Sequence, residues 1–227
     1  MRYLKAAIIA ILISSFAQGQ TYELGLYAGG ANFIGDVGST TFISPNAAAI
    51  GLVAKWNRSS RHSFRFSAIW SQLDGDDTKS NESRRQSRGY TFENNVTEVS
   101  LGIEYTFWEF DMFKESNPST PYLYTGLTYL GHNEFTLNTD DPVQVEASGG
   151  LAIPMVIGYK AVIKRNLILA LEIGARYTFS DNLDGSAPEN NLNETSGFGN
   201  LNNNDWYMFT GVTLTYAFGR KPCFCAF

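Results

Sequence analysis

The sequence predicts an all-β protein, an eight-stranded antiparallel transmembrane β-barrel with short periplasmic turns and long outer loops. Three observations predict it: an export signal at the start, segments in which apolar residues alternate with small or polar ones, and connections that alternate in length. After residue 20 no apolar run approaches the roughly 20 residues that a membrane-spanning helix needs. Such a chain can enter a membrane only as strands that close into a barrel.

The first residues have the composition of a secretory signal peptide. Arg2 and Lys5 precede an apolar run over residues 6–13, and the small residues Ala17 and Gly19 mark a cleavage site. We therefore expect residues 1–19 to be the signal peptide, residues 20–218 the barrel and residues 219–227 a periplasmic tail. An uncleaved membrane anchor is the alternative, but the apolar run is too short for one.

The predicted strands share a period of two, which indicates two unlike faces. From Val212 to Phe218 every second residue is large and apolar, and the residues between them are Thr and Ala. The large residues suit lipid, and the small ones suit a narrow lumen. The same pattern predicts strands near residues 22–30, 46–57, 61–73, 96–109, 121–131, 150–163, 166–179 and 205–218.

The connections between these strands alternate in length. Turns near Ser59 and Lys164 are short, and residues 110–120 form an intermediate one. Bacterial barrels keep short turns in the periplasm and long loops outside. We therefore expect an outer-membrane protein of a Gram-negative bacterium with both termini in the periplasm. The predicted long outer loops are residues 31–45, 74–95, 132–149 and 180–204.

Alternation also places charged residues inside the barrel. An eight-stranded barrel is just wide enough for side chains to fill it, and buried charges must pair to offset the loss of water. We expect an ion-pair network that plugs the lumen, with Glu23 and Glu104 as the natural partners of the cations. A selectivity filter or a proton path is the alternative. The predicted network contains Glu23, Lys55, Arg65, Glu104, Lys160, Glu172 and Arg176.

The sequence offers no clear catalytic, metal or nucleic-acid site. His132 begins a predicted loop, which suggests a solvated residue, and no Ser stands at a spacing that suggests a dyad with it. Asp74, Asp76 and Asp77 lack the spaced ligands and closing Glu of a calcium loop. The net charge of −5 makes nucleic acid a poor partner. We expect a protein that is not an enzyme and has no cofactor or metal, with a lipid-A-modifying or proteolytic barrel as the alternative.

Two groups near the strand ends suggest contacts with other molecules. Arg84, Arg85 and Arg88 lie in a predicted outer loop, where they suit lipopolysaccharide phosphates or simple solvation. In the tail, a bridge within Cys-x-Cys would be strained, and a metal site would need further ligands. We expect a tail that docks on a periplasmic partner, with two inert thiols as the alternative. The tail residues concerned are Cys223, Phe224, Cys225 and Phe227.

Three stretches carry a family resemblance. ELGLYAGGANFIGDVG (residues 23–38) and SRRQSRGYTFENNVTEVSLGIEYTF (residues 83–107) resemble the PorG-like outer-membrane barrels of the Bacteroidetes type IX secretion and gliding system. The ending TYAFGRKPCFCAF is similar to their last strand and tail. The resemblance implies a non-enzymatic accessory in contact with outer-membrane lipid and with the periplasmic ring of PorK lipoprotein and PorN. A small outer-membrane pore or solute channel is the alternative function.

Overall fold

Eight strands make up nearly all of the regular structure. The computed structural model describes residues 21–113, 118–138, 141–179, 183 and 204–219, with only the backbone for 133–138 and 141–147. The predicted signal peptide and the tail residues Cys223, Phe224, Cys225 and Phe227 lie outside these ranges. The strands are β1 (Thr21–Ile34), β2 (Ala47–Asn57), β3 (His62–Asp76), β4 (Thr91–Thr106), β5 (Ser119–Asn138), β6 (Asp141–Lys164), β7 (Leu167–Thr178) and β8 (Trp206–Gly219).

The strands close into a barrel in chain order. Each strand pairs antiparallel with its neighbours, and β1 pairs with β8 from Thr21 opposite Gly219 to Ile34 opposite Trp206. Closure satisfies the backbone of both edge strands, which is what a sheet in lipid requires. The predicted fold class is therefore confirmed.

The barrel has two different ends. Connections 58–61, 107–118 and 165–166 lie at the end where β1 begins and β8 finishes, which we call the turn end. Connections 35–46 and 77–90 lie at the opposite end, which we call the loop end, as do the described residues 179, 183, 204 and 205 of connection 179–205. Connection 77–90 holds a 3₁₀ turn (Asp77–Lys79) and a short helix, α1 (Ser83–Arg88). No helix in the described part of the chain has the length and apolar character to span a membrane.

The outer wall of the barrel carries the large apolar residues. Leu26, Leu101 and Leu214 are exposed, whereas their chain neighbours Gly102 and Thr213 turn inward. An exposed apolar band around a closed barrel is the surface that lipid covers. We call this band the apolar belt. Its other members include Leu24, Ile50, Leu52, Phe64, Phe66, Ile103, Ile157, Leu171 and Tyr216.

The strands at the loop end are longer than the sequence predicts. β5 runs to Asn138 and β6 begins at Asp141, so the predicted loop 132–149 is mostly a hairpin. The prediction of a solvated His132 is also wrong, because this residue lies in β5 and is only 4% exposed. Backbone pairing continues past the apolar belt without needing apolar side chains, so hydrophobic alternation marks where the belt stops rather than where the strands end.

Apolar clusters occupy both ends of the barrel interior. At the loop end Tyr27, Phe33, Leu73 and Phe92 pack together with Leu183 from connection 179–205. Asn94 Nδ2 donates to the carbonyl of Leu183 (2.9 Å), which helps to hold Leu183 in the barrel mouth. At the turn end a second cluster closes the interior, and its members are Phe110, Met112, Val162, Ile168 and Ala217. The charged residues lie in the space between the two clusters.

Candidate functional site

Glu104 on β4 holds three cations in the middle of the barrel. Its Oε1 accepts a hydrogen bond from Lys160 Nζ at 2.7 Å, and its Oε2 lies 2.7 Å from Lys55 Nζ. Arg65 Nη1 is 3.8 Å from the same Oε2. All four side chains are buried, so each charge depends on these partners rather than on water.

Arg65 connects Glu104 to a second carboxylate, Glu172 on β7. Its Nη1 and Nη2 donate to the two oxygens of Glu172 at 2.8 and 2.9 Å, which is the planar two-bond geometry that strengthens Arg–carboxylate pairs. Tyr122 on β5 donates its hydroxyl to the same carboxylate at 2.5 Å. The Arg65 guanidinium also stacks on the Tyr124 ring at 4.7 Å. Four strands are thereby joined through one guanidinium and its partners.

Arg176 and Glu98 form a second ion pair that sequence analysis found only in part. Arg176 is one of the predicted residues, and its Nε and Nη2 donate to Glu98 at 3.2 and 3.3 Å. Tyr207 donates its hydroxyl to Glu98 at 2.8 Å. The alternation of β4 could have identified Glu98, because it lies an even number of residues from Glu104 and therefore faces the same side of the strand. With Glu98 included, four carboxylates face four cations in the lumen.

Glu23 is buried in the lumen, but within the described part of the chain it has no ion pair with a cation, contrary to the prediction. Among the described residues, the ion pairs of Lys55, Arg65 and Lys160 go to Glu104 or Glu172. Asn57 Nδ2 and Thr215 Oγ1 instead donate to Glu23 at 2.9 and 2.8 Å. The expectation for Glu23 was wrong because alternation shows only which side of the strand a residue faces. The position of its strand and the length of its side chain decide which partner it contacts across the lumen.

Aromatic rings line the cations on their remaining sides. Lys160 Nζ lies 4.5 Å from the Phe110 ring, and Arg176 Cζ lies 4.7 Å from the Phe209 ring. Phe110 belongs to the turn-end cluster and Phe209 to the loop-end cluster. The charged layer is therefore in direct contact with an apolar layer on each side. Three successive layers of side chains, apolar, charged and apolar, therefore lie along the lumen.

Asp77 is the centre of a second polar cluster, at the loop end. Its carboxylate is buried and accepts hydrogen bonds from Arg88 Nε (2.6 Å), from the backbone N–H of Gly38 (2.9 Å) and from the backbone N–H of Tyr90 (3.2 Å). Burial alone would raise the pKa of Asp77, but the Arg88 guanidinium and the N–H donors hold it below its ordinary value. Asp77 is therefore an anion that ties connection 77–90 to connection 35–46.

Two arginines complete this tie by donating to backbone carbonyls. Arg85 Nη1 donates to Gly35 (2.9 Å) and Gly38 (3.1 Å), and Arg88 Nη2 donates to the carbonyl of Asp36 (2.7 Å). Gly38 has φ +82°, a conformation that other residues rarely adopt. We call the contacts of Asp77, Arg85 and Arg88 with residues 35–38 the loop-end clasp. It joins the two stretches, residues 23–38 and 83–107, that carry the family resemblance.

The side chains of Asp76 and Asp77, two of the three aspartates weighed as a calcium site, are held by local contacts. Asp77 pairs with Arg88, and Asp76 bonds Thr78 and Lys79 in its own turn. In the described ranges no group of three or more His, Cys, Asp or Glu has the geometry to hold a metal ion.

A Ser–His contact is present at the turn end. Ser59 Oγ lies 3.2 Å from His62 Nδ1, and the same oxygen accepts the backbone N–H of Arg61 and of His62. These backbone bonds are those of a tight turn between β2 and β3.

Comparisons with known proteins give one structure of similar fold and the family of the chain. The major outer membrane protein of Thermus thermophilus is 14% identical, with a TM-score of 0.51, and the match covers 88% of this chain and 99% of that chain. The N-terminal β-barrel domain of Pseudomonas aeruginosa OprF is 11% identical, with a TM-score of 0.42 and coverage of 88% and 98%. At 14% identity, the similarity to the Thermus thermophilus protein concerns the fold alone. No curated protein matches the chain. The model of one family, described as "domain of unknown function (DUF6089)", matches residues 2–227, and the chain therefore belongs to that family.

Proposed function

We propose that this protein is a non-enzymatic outer-membrane component of a type IX secretion system, which anchors or positions the periplasmic ring of the PorK lipoprotein and PorN type. The observation that carries the proposal is the filled lumen. Side chains of Glu104, Glu172 and Glu98 with their cations occupy its middle, and apolar clusters occupy its ends. A barrel filled in this way suits a rigid anchor better than a conduit.

The family resemblance supports the same role. The two stretches that resemble PorG-like barrels contact each other through the loop-end clasp, although about fifty positions separate Arg85 and Arg88 from Gly35 and Asp36. They therefore form one structural unit rather than two isolated similarities.

The tail is the proposed contact with the ring. β8 finishes at Gly219 beside Thr21, so the chain leaves the barrel at the turn end. In the proposed orientation the turn end faces the periplasm, with both termini there. Cys223 and Cys225 would then be available in an oxidising compartment, and Phe224 and Phe227 would supply apolar anchors.

Affinity purification from gently solubilised outer membranes tests the proposal. Tagged full-length protein should co-purify ring proteins of the PorK and PorN type, and the variant lacking residues 221–227 should lose them while keeping a folded barrel. Non-reducing gels should show an adduct that disappears in a Cys223→Ser, Cys225→Ser variant. Heat-modifiable migration of both forms is the folding control. Recovery of the folded full-length barrel without any ring component would reject the proposal.

A further inference from the structure

The connection between β1 and β2 does not extend straight away from the barrel. Ala31 and Phe33 point into the loop-end cluster, so Asn32 between them points to the outer wall. Asn32 is nevertheless buried, because its Nδ2 donates to the carbonyls of Phe42 (3.0 Å) and Thr41 (3.4 Å). The connection therefore folds back over the outside of β1.

The folded-back segment continues along the wall toward the apolar belt. Gly30 also points outward, and a Cβ added to it would lie 2.6 Å from Pro45 Cβ. Residues 41–45 thus run over Asn32 and then over Gly30. The next outward residues of β1 are Ala28 and Leu26, which is a member of the belt. The segment directly adjoins the surface that lipid covers.

Two large apolar residues project from this segment. Phe42 is 64% exposed and Ile43 is 52% exposed, which is within the range of belt residues such as Ile50 (64%) and Ile103 (50%). In water, two adjacent exposed apolar side chains on a fixed backbone lose stabilisation that burial would provide. Beside the belt, the same side chains reach the edge of the bilayer, where apolar and aromatic residues are favoured.

We propose that residues 41–45 form a lipid-inserting wedge, in which Phe42 and Ile43 enter the acyl-chain boundary of the leaflet at the loop end. We expect lipid to be the molecule that covers Phe42 and Ile43, because the wedge is continuous with the apolar belt. The hydrogen bonds of Asn32 hold the wedge against the same outer wall. The wedge draws the loop end toward the membrane surface. This inference concerns the barrel itself and does not depend on the secretion role.

Spin labels on the full-length protein in phosphatidylcholine vesicles test the wedge. Cys223→Ser and Cys225→Ser give a background without native thiols, into which Phe42→Cys or Ile43→Cys is introduced for labelling. Leu214→Cys on the belt and Arg84→Cys on exposed α1 are the matched references. Each label is scored for collision with oxygen, which concentrates in hydrocarbon, against collision with a water-soluble nickel complex.

The wedge predicts that labels at positions 42 and 43 favour oxygen over nickel, with the same sign as the label at position 214. A preference for nickel, as expected at position 84, would overturn it, because the two side chains would then lie in water. Screening of both labels from both reagents would also overturn it, because another part of the protein would then cover them. Heat-modifiable migration of every labelled variant verifies that each barrel is closed.

Discussion

At the scale of single residues, Glu104 is the position on which the charged layer depends most. Two lysine ammonium groups lie 2.7 Å from its carboxylate, and Arg65 is the third cation nearby. Removing one member of a buried ion pair costs more than the pair contributes, because the remaining charges stay buried without compensation. Because three cations surround the Glu104 carboxylate, removing its charge should cost more stability than removing one partner of an exposed ion pair.

Glu104→Gln is therefore expected to lower the free energy of unfolding by about 3–5 kcal/mol. Glu109→Gln is the matched control, because Glu109 is exposed and lies 4.0 Å from Arg61. An exposed pair of this kind contributes at most about 1 kcal/mol. Urea unfolding of the barrel in lipid vesicles measures both variants. Equal unfolding midpoints for the two would contradict the buried network.

Asp77 offers the corresponding test at the loop end. Asp77→Asn removes the charge that Arg88 pairs with, and the expected loss is about 1–3 kcal/mol of local stability. Trypsin should then cleave the folded barrel at the arginines of α1 about tenfold faster. Asp76→Asn is the control, since the side chain of Asp76 bonds only within its own turn in the described structure. Cleavage of both variants at the wild-type rate would argue against the clasp.

Residue identity in the lumen was predictable, and residue pairing was not. Strand parity alone placed Lys55, Arg65 and Lys160 inside, and the same rule would have placed Glu98 there. The partners of Glu23 depend on strand tilt and side-chain reach, which a single sequence does not encode locally. The loop-end clasp could not be predicted either, because Arg88 and Asp36 are 52 positions apart and no local pattern links them.

At the scale of strands, alternation predicted the eight elements but not their lengths. The period of two is strong where lipid requires large apolar residues, as from Val212 to Phe218. Beyond the belt the strands β3 and β4 remain paired as far as Asp76 opposite Thr91, where the sequence is polar. Backbone hydrogen bonding sets the strand ends there. Because this pairing does not require alternating apolar residues, the hydrophobicity pattern does not show where the strands end.

The belt predicts a depth-dependent effect of charge on β8. Leu214 pairs with Leu26 and Leu169 in the middle of the outer wall, whereas Phe218 lies next to the strand end at Gly219. Leu214→Arg should cost about 2–4 kcal/mol in a bilayer, and Phe218→Arg about 0–1 kcal/mol. Unfolding equilibria in lipid vesicles compare the two. A larger loss for Phe218→Arg would mean that the belt is centred elsewhere.

At the scale of the whole molecule, the described side chains inside the barrel form three layers. Apolar side chains fill the turn end, charged side chains the middle, and apolar side chains the loop end. Such an interior resists deformation, since tightly packed side chains transmit strain instead of yielding. In the proposed orientation the turn end, which the Phe110 cluster closes, is the end of this barrel that would face the periplasmic ring.

Conductance across a planar lipid bilayer tests this filled interior most directly. The refolded full-length protein, with closure verified by heat-modifiable migration, is inserted from vesicles, and a porin of known conductance serves as the positive control. Because the charged layer and both apolar clusters occupy the lumen, no steady open-channel current is expected from the wild-type barrel. A steady current that increases in proportion to voltage and salt would contradict the account, because ions would then be crossing a lumen that side chains should fill.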